Sequence, residues 1–365
     1  MVSLLFAQLC HSISLADVCD ATALRLSRLS LLRGAKPPAR NTLSNANTRR
    51  DPKLMEKLFW ATLASLEHIR PGFGPSGRYK ALPRRFKKAI YAIDSSTIAL
   101  VANCMDWAKH RRRKAAAKLH MRLDLQHFLP SFAIVEEASH HDNSRARELC
   151  AGLKDGEIAL FDKAYVHFDH LFDLADRGVW WVTRAKDNFS FKVRRKLEAD
   201  KSKGILSDDI IELKGSKSKE AYPIYMRRVL AEVQINGKLV KMAFLTNNLD
   251  WAPSSVADLY QARWAIEVFF KQIKQTLKLA GFIGYSKNAI AWQVWAALLV
   301  WLLARFQAFL SRWTHSFTRL MALLRSHAWE RIHIVELLQF HGTAGGLPRM
   351  MAVPDQAYLP GLEPR

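Results

Sequence analysis

With 365 residues, 49% of them hydrophobic and 24% charged, the chain has the composition of a globular protein with a sizeable core, not of a disordered or low-complexity one. Its 55 Lys+Arg against 33 Asp+Glu leave a formal charge of +22, which implies a polyanionic partner. Nucleic acid comes first, ahead of an anionic membrane surface or a merely basic protein. Cys10, Cys19, Cys104 and Cys150 form no CxxC pair and no zinc-ligand spacing, so they read as free thiols of a reducing cytosol, and the N-terminus lacks a signal-peptide pattern.

Residues 1–50 read as short helices broken by the KPP at 36–38. In ARNTLSNANTRR (39–50), Thr42 or Ser44 is a candidate cap for a helix presenting Asn45, Asn47, Arg49 and Arg50. That would suit a helix-turn-helix reader of DNA or, equally, a polar connector. A further helix covers 53–70, PGFGPSGRY (71–79) is a loop, and RRFKK (84–88) is a basic lead-in.

From residue 89 the period shortens to two. AIYAIDSSTIAL (89–100), AKLHMRLDLQ (117–126) and SFAIVEEA (131–138) read as strands, the second with Leu119, Met121, Leu123 and Leu125 opposite His120, Arg122 and Asp124. A capped helix at 142–152, a strand at 157–165, a helix at 168–178 closed by Gly178 and a strand at 179–185 follow. This alternation predicts an α/β sheet covered by helices. In VWWV, alternation puts at least one of Trp180 and Trp181 in the core.

Residues 186–250 break the rhythm with four strand-like stretches and an NG at 236–237, the mark of a hairpin. They predict a small all-β insertion separate from the main sheet. The chain is then helical from about 254 to about 340. Within it AIAWQVWAALLVWLLA (289–304) is apolar except for Gln293. It falls short of the roughly 20 residues of a membrane span, and Arg305 ends it, so it reads as core.

The strongest local signal is the expected continuous helix DLYQARWAIEVFFKQIKQTLKL (258–279). At 100° per residue with Tyr260 at zero, Arg263 lies at about −60°, Glu267 at about −20°, Lys271 at about +20°, Lys274 at about −40° and Lys278 near zero. The opposite side is apolar, with Leu259, Ala262, Ile266, Phe269, Phe270, Ile273 and Leu277. An ordinary surface helix would mix acids and bases. Here a single carboxylate stands among residues that bind phosphate.

Asp94 and Asp162 add to it. Each interrupts an otherwise apolar strand, where an unpaired charge is costly, and aspartates on one open sheet can converge near its carboxyl ends. Three carboxylates without a His/Cys set point to hard-cation ligation, hence Mg²⁺ with Mn²⁺ as substitute. Two such ions about 4 Å apart suit in-line phosphoryl transfer. Arg263, Lys274 and Tyr260 would then hold the flanking phosphate.

IDSSTI, then FDKAY, then Tyr260-x2-Arg263-x3-Glu267-x6-Lys274 resemble, in that order, the motif set of the IS4-family DDE transposases with its Y-R-E-K signature. The resemblance runs from about residue 39 to the tail. It implies an RNase H-like α/β core with a β-rich insertion, and cut-and-paste transposition from terminal inverted repeats into target DNA by a pair of protomers. Asp94, Asp162 and Glu267 would be catalytic and metal-binding, and Tyr260, Arg263, Lys274, Lys271 and Lys278 DNA-binding. The implied division is a helical DNA-binding region at 1–80, shortened relative to the family, a first core part at 81–186, the insertion at 187–252, helical completion at 253–345 and a tail at 346–365. Relatives hold a flipped base with a Trp of the insertion, for which Trp251 is the candidate. A bacterial cytoplasmic, nucleoid-associated location without membrane follows.

Other features have plainer readings. His140, His141 and Asp142 read as a helix start rather than a metal cluster. His120 and Asp124 line the site or are merely solvated or hydrogen-bonded. HRRRKAAAK (110–118) tracks a DNA backbone or is a solvated loop. The competing functions are an RNase H-like nuclease that cuts without joining, and a catalytically decayed DNA-binding copy.

Overall fold

The computed structural model describes residues 1–73, 86–100, 109–110, 114–137, 142–186, 190–235, 238–276 and 283–340. It divides into two compact units, Gly74–Phe270 and Met1–Phe73 with Lys271–Arg365.

The second of these is helical. It holds α1 (Val2–Cys10), α2 (Leu15–Ala23), α3 (Leu26–Ser30), α4 (Arg40–Arg49) and α5 (Lys53–Ile69). The expected cap at Thr42 or Ser44 is not used: α4 begins at Arg40, with Ala39 at its N-cap. Asn47 is 3% exposed, so it is a packing residue and not a reader of base edges.

The Gly74–Phe270 unit is built on one ten-stranded sheet. Its strands are β1 (Ile90–Leu100), β2 (Lys109–His110), β3 (Lys114–Asp124), β4 (Leu129–Glu137), β5 (Ile158–Phe161), β6 (Trp180–Arg184), β7 (Phe191–Lys196), β8 (Ile205–Leu213), β9 (Met226–Ile235) and β10 (Lys238–Thr246). Between them lie α6 (Ala146–Cys150), α7 (Phe168–Asp176) and α8 (Ser216–Ala221), and after them α9 (Pro253–Ala262) and α10 (Ala265–Lys271). The order β4-β3-β1-β5-β6, with β1–β3–β4 antiparallel and β1, β5 and β6 mutually parallel, is an RNase H-like core.

The insertion departs from expectation. Its strands extend the core sheet, because β10 pairs antiparallel with β6 (Phe244 opposite Arg184) and β9, β8 and β7 follow outward. An open strand edge offers unpaired N–H and C=O groups, and β10 satisfies those of β6. The insertion is also not all strand, since α8 lies within it. Asn236 and Gly237 lie outside the described residues, but β9 and β10 flank them with Ile235 opposite Lys238.

Helices cover both faces of the core strands, and β5 is buried at all four residues, as a parallel central strand should be. On one face Leu149, Leu171, Leu174, Trp181 and Tyr222 pack around Ile93 and Phe161. Trp181 is fully buried and its indole N–H donates to the Leu171 carbonyl at 3.0 Å. The Gly178 backbone (φ 72°) closes α7, with Gly178 N–H on Ala175 O at 3.0 Å and Val179 N–H on Leu174 O at 2.9 Å. Covering on both faces also excludes a solvated role for His120 on β3. His120 is as buried as Leu119 and Met121, with Nε2 2.9 Å from Glu136 Oε1, while Arg122 donates to Ser131 Oγ and Leu149 O.

His170 on α7 is 3% exposed, edge-on to Phe161, and burial pulls its imidazole down from 6.5 to about 4. The folded state thus disfavours the protonated ring. The contribution is complete above pH 6.5 and is lost as pH falls from there through about 4, worth on the order of 3 kcal/mol. Urea unfolding of the wild type should lose that much more stability than His170→Phe across the same window. Parallel pH curves for the two would reject the assignment.

In the helical unit, α11 (Lys287–Leu310) is the core, followed by α12 (Phe317–Ser326) and α13 (Ile334–Phe340). By length and composition α11 could cross a membrane, yet 83% of its apolar window is buried within the protein. Gln293 is satisfied inside, accepting from Ile283 N–H at 2.7 Å and donating to Ala289 O at 2.9 Å. The indole N–H groups of Trp292 and Trp301 donate to Arg50 O and Gln272 Oε1.

Candidate active site

Sheet register brings the two aspartates together. β1 and β5 run parallel with Ile93 beside Phe161, so the next residues, Asp94 and Asp162, are neighbours where β5 ends. Adjacent strands lie about 4.8 Å apart. Ile93 and Phe161 belong to the cluster under α6 and α7, so the following pair emerges on the opposite face. There α9 packs on β5, β6 and β10.

The helix that supplies the third acid is not continuous, contrary to the regular helix expected over 258–279. It breaks at Arg263–Trp264, where Arg263, Trp264, Ile266 and Glu267 each donate to the residue three back, and it resumes as α10. A π-helical turn, Gln272–Thr276, follows. Such i→i+3 bonding tightens the turn and brings side chains three apart into line. Tyr260 and Arg263 are therefore drawn inward, 5% exposed each, instead of standing on an open phosphate-binding face.

Arg263 Nη1 donates to Asp94 Oδ2 at 3.2 Å, and its Nη2 donates to Glu267 Oε1 at 2.8 Å. The Tyr260 hydroxyl donates to Asp162 Oδ1 at 3.3 Å, and its ring lies 5.3 Å from the Arg263 guanidinium. Glu267 is on the open side, its side chain 56% exposed against 20% for Asp94. Asp94 is pushed up to about 6, chiefly by burial and further by the charges of Asp162 and Glu267, against the pull of Arg263 and of the Ser95 N–H at 2.7 Å. Arg263 is held above its usual range: burial opposes its charge, but Tyr260, Asp94 and Glu267 outweigh that.

Among the described residues, no three His, Cys, Asp or Glu side chains are grouped tightly enough to hold one ion. At Asp94 and Glu267 a guanidinium stands between the two carboxylates. The donor set is nonetheless all oxygen, and the desolvated Asp94 carboxylate gains from any added cation. Both properties fit Mg²⁺ or Mn²⁺.

Lys271 ends α10 and is exposed, while Lys274 lies half-buried in the π-helical turn, its ammonium lowered by burial. Lys278, His140, His141 and residues 111–113 lie outside the described residues. Trp251 is packed edge-on against Trp180 and Phe86, with its backbone N–H on Asn248 Oδ1. Asp124 serves the 125–128 turn, accepting from Gln126 N–H at 2.7 Å and lying 2.8 Å from His127 Nδ1.

Two supports were not singled out from the sequence. Thr183, fully buried and in register with Phe161, turns its hydroxyl to the Asp162 carbonyl at 3.4 Å. Arg227 and Asp208 form a buried bidentate pair at 2.7 and 2.6 Å, and the same guanidinium donates to the carbonyls of Leu249 and Trp251, just ahead of α9. The signal was present as DD at 208–209 and RR at 227–228 in consecutive strand-like stretches.

The family model described as "Transposase DDE domain" matches residues 85–303. A putative transposase, y4zB, from Sinorhizobium fredii is 28% identical over 304 residues, 82% of this chain and 80% of that one. Transposase InsG for insertion sequence element IS4 from Escherichia coli is 26% identical over 199 residues, 52% of this chain and 43% of that one. A solved piggyBac transposase synaptic complex with hairpin DNA is similar at a TM-score of 0.43 and 10% identity, over 92% of this chain and 70% of that one.

Proposed function

Because the chain belongs to the DDE transposase family, and to its IS4 branch, we propose that it moves an insertion sequence by cutting DNA at the element's terminal inverted repeats and joining the freed 3′ ends to target DNA. Asp94, Asp162 and Glu267 are the proposed ligands of two Mg²⁺ ions, with Mn²⁺ as substitute. When bound, these ions supply Lewis-acid activation of a water or 3′-hydroxyl and neutralise charge on the leaving oxygen. The observation that carries the reading is the adjacent register of Asp94 and Asp162, with Glu267 tied to Asp94 through one guanidinium.

The chain's own groups do the positioning. Arg263 presents a planar fork that matches a phosphate bidentately, and Tyr260 fixes the orientation of Asp162. Lys271, Lys274 and Lys278 follow on the same stretch of chain as point charges for the phosphates of the element end. We assign the active assembly to two protomers holding paired ends, on chromosomal DNA in the bacterial cytoplasm.

A strand-transfer assay tests the function. A precut end with a free 3′-hydroxyl, incubated with supercoiled plasmid and Mg²⁺, should be joined to the plasmid. Cutting of uncut ends without joining would identify a nuclease, and binding alone a decayed copy.

A further inference from the structure

Arg263 is a buried cation with two anionic partners, and both are carboxylates that a divalent ion would need. Its Nη1 is on Asp94 Oδ2 at 3.2 Å and its Nη2 is on Glu267 Oε1 at 2.8 Å. Its Nε–H is buried with no acceptor, so this seat leaves the guanidinium incompletely satisfied. One of the two partners, Glu267, is largely exposed, so the fork is released on that side without opening the core. A phosphate on the open side would offer a planar bidentate acceptor for the same fork.

Resting on the reading of Asp94 and Glu267 as metal ligands, we propose that Arg263 is an internal counter-cation: it neutralises the Asp94–Glu267 pair in the DNA-free protein and moves to a DNA phosphate when the end binds, so that divalent ions are seated preferentially on the DNA complex. The physical basis is exclusion. A guanidinium and a divalent ion compete for the same two oxygens and repel each other at contact range. DNA supplies the second anionic partner that lets both cations be accommodated. Coupling between the two ligands is reciprocal, so metal also tightens the hold on DNA. Premature hydrolysis away from an element end is thereby suppressed.

Mn²⁺ binding to the DNA-free protein, followed by the loss of the free-ion electron paramagnetic resonance signal, tests this without any turnover. Arg263→Met should bind Mn²⁺ about tenfold tighter than the wild type, or more. Arg263→Lys keeps the charge but cannot span both carboxylates with one head group, so it should also bind more tightly, by a smaller factor. It serves if the Met variant fails to fold by circular dichroism. Equal or weaker Mn²⁺ binding in the folded variants overturns the proposal. Adding Asp94→Asn or Asp162→Asn to Arg263→Met should abolish the gain. If the gain survives, the ions sit elsewhere and the reading of the carboxylates falls. If Mn²⁺ binding needs Asp94 and Asp162 but Arg263 does not affect it, only the counter-cation role falls.

Discussion

Asp162→Asn, and separately Asp94→Asn, should reduce cleavage at the element end by at least about a thousandfold while leaving DNA binding intact. The substitutions change charge with almost no change in shape. The carboxamide oxygen of residue 162 can still accept from the Tyr260 hydroxyl, and that of residue 94 from the Ser95 N–H. What is lost is the anionic oxygen needed to hold a divalent ion, and with it several kcal/mol of transition-state stabilisation. Each 1.36 kcal/mol is a factor of ten, so three decades is a modest expectation. Binding measured without divalent ion should hold or tighten slightly, because a negative charge leaves a site that faces phosphate. The measurement is cleavage of an end duplex in Mg²⁺ beside a gel-shift titration. Cleavage within tenfold of wild type for both variants would remove these residues from the chemistry.

Arg227→Ala is expected to destabilise the Gly74–Phe270 unit by roughly 3–5 kcal/mol, the size seen when one partner of a buried ion pair is deleted. Its side chain and that of Asp208 are 4% and 1% exposed, so the remaining carboxylate would be buried and uncompensated. The carbonyls of Leu249 and Trp251 would lose their donor as well. Those two residues lead directly into α9, which carries Tyr260, so the loss bears on the site as well as on the core. The double change Arg227→Met with Asp208→Leu should recover most of the stability, because it removes both charges and keeps the volume. The urea midpoint decides: a single variant within about 1 kcal/mol of wild type would show that the pair is dispensable.

Several features were readable from residue order because they depend on local periodicity. The period-2 runs at 89–100, 117–126 and 179–185 became β1, β3 and β6. Gly178 closed α7, and the apolar side of 258–273 is buried at Leu259, Ile266, Phe269, Phe270 and Ile273. The core reading of 289–304 held, though not on the ground of length, since α11 runs on through Arg305 to Leu310 and only its packing buries it. The partnering of the acids followed from their isolation among apolar residues and cations.

The sequence by itself therefore determined the element types of the core and the α/β class, and it singled out the three acids proposed as ligands, because side-chain spacing and the cost of burying an unpaired charge act residue by residue. Only the tertiary structure decided where the insertion strands went, since pairing of β10 with the open edge of β6 is a contact between residues some 60 apart in sequence. It likewise decided that His120 and Asn47 are buried, that the signature helix breaks at Arg263, and that Arg263 turns in to Asp94 rather than out to solvent. A single helix gives a residue's angle about its own axis, but what stands opposite that angle is set by the strands packed against it.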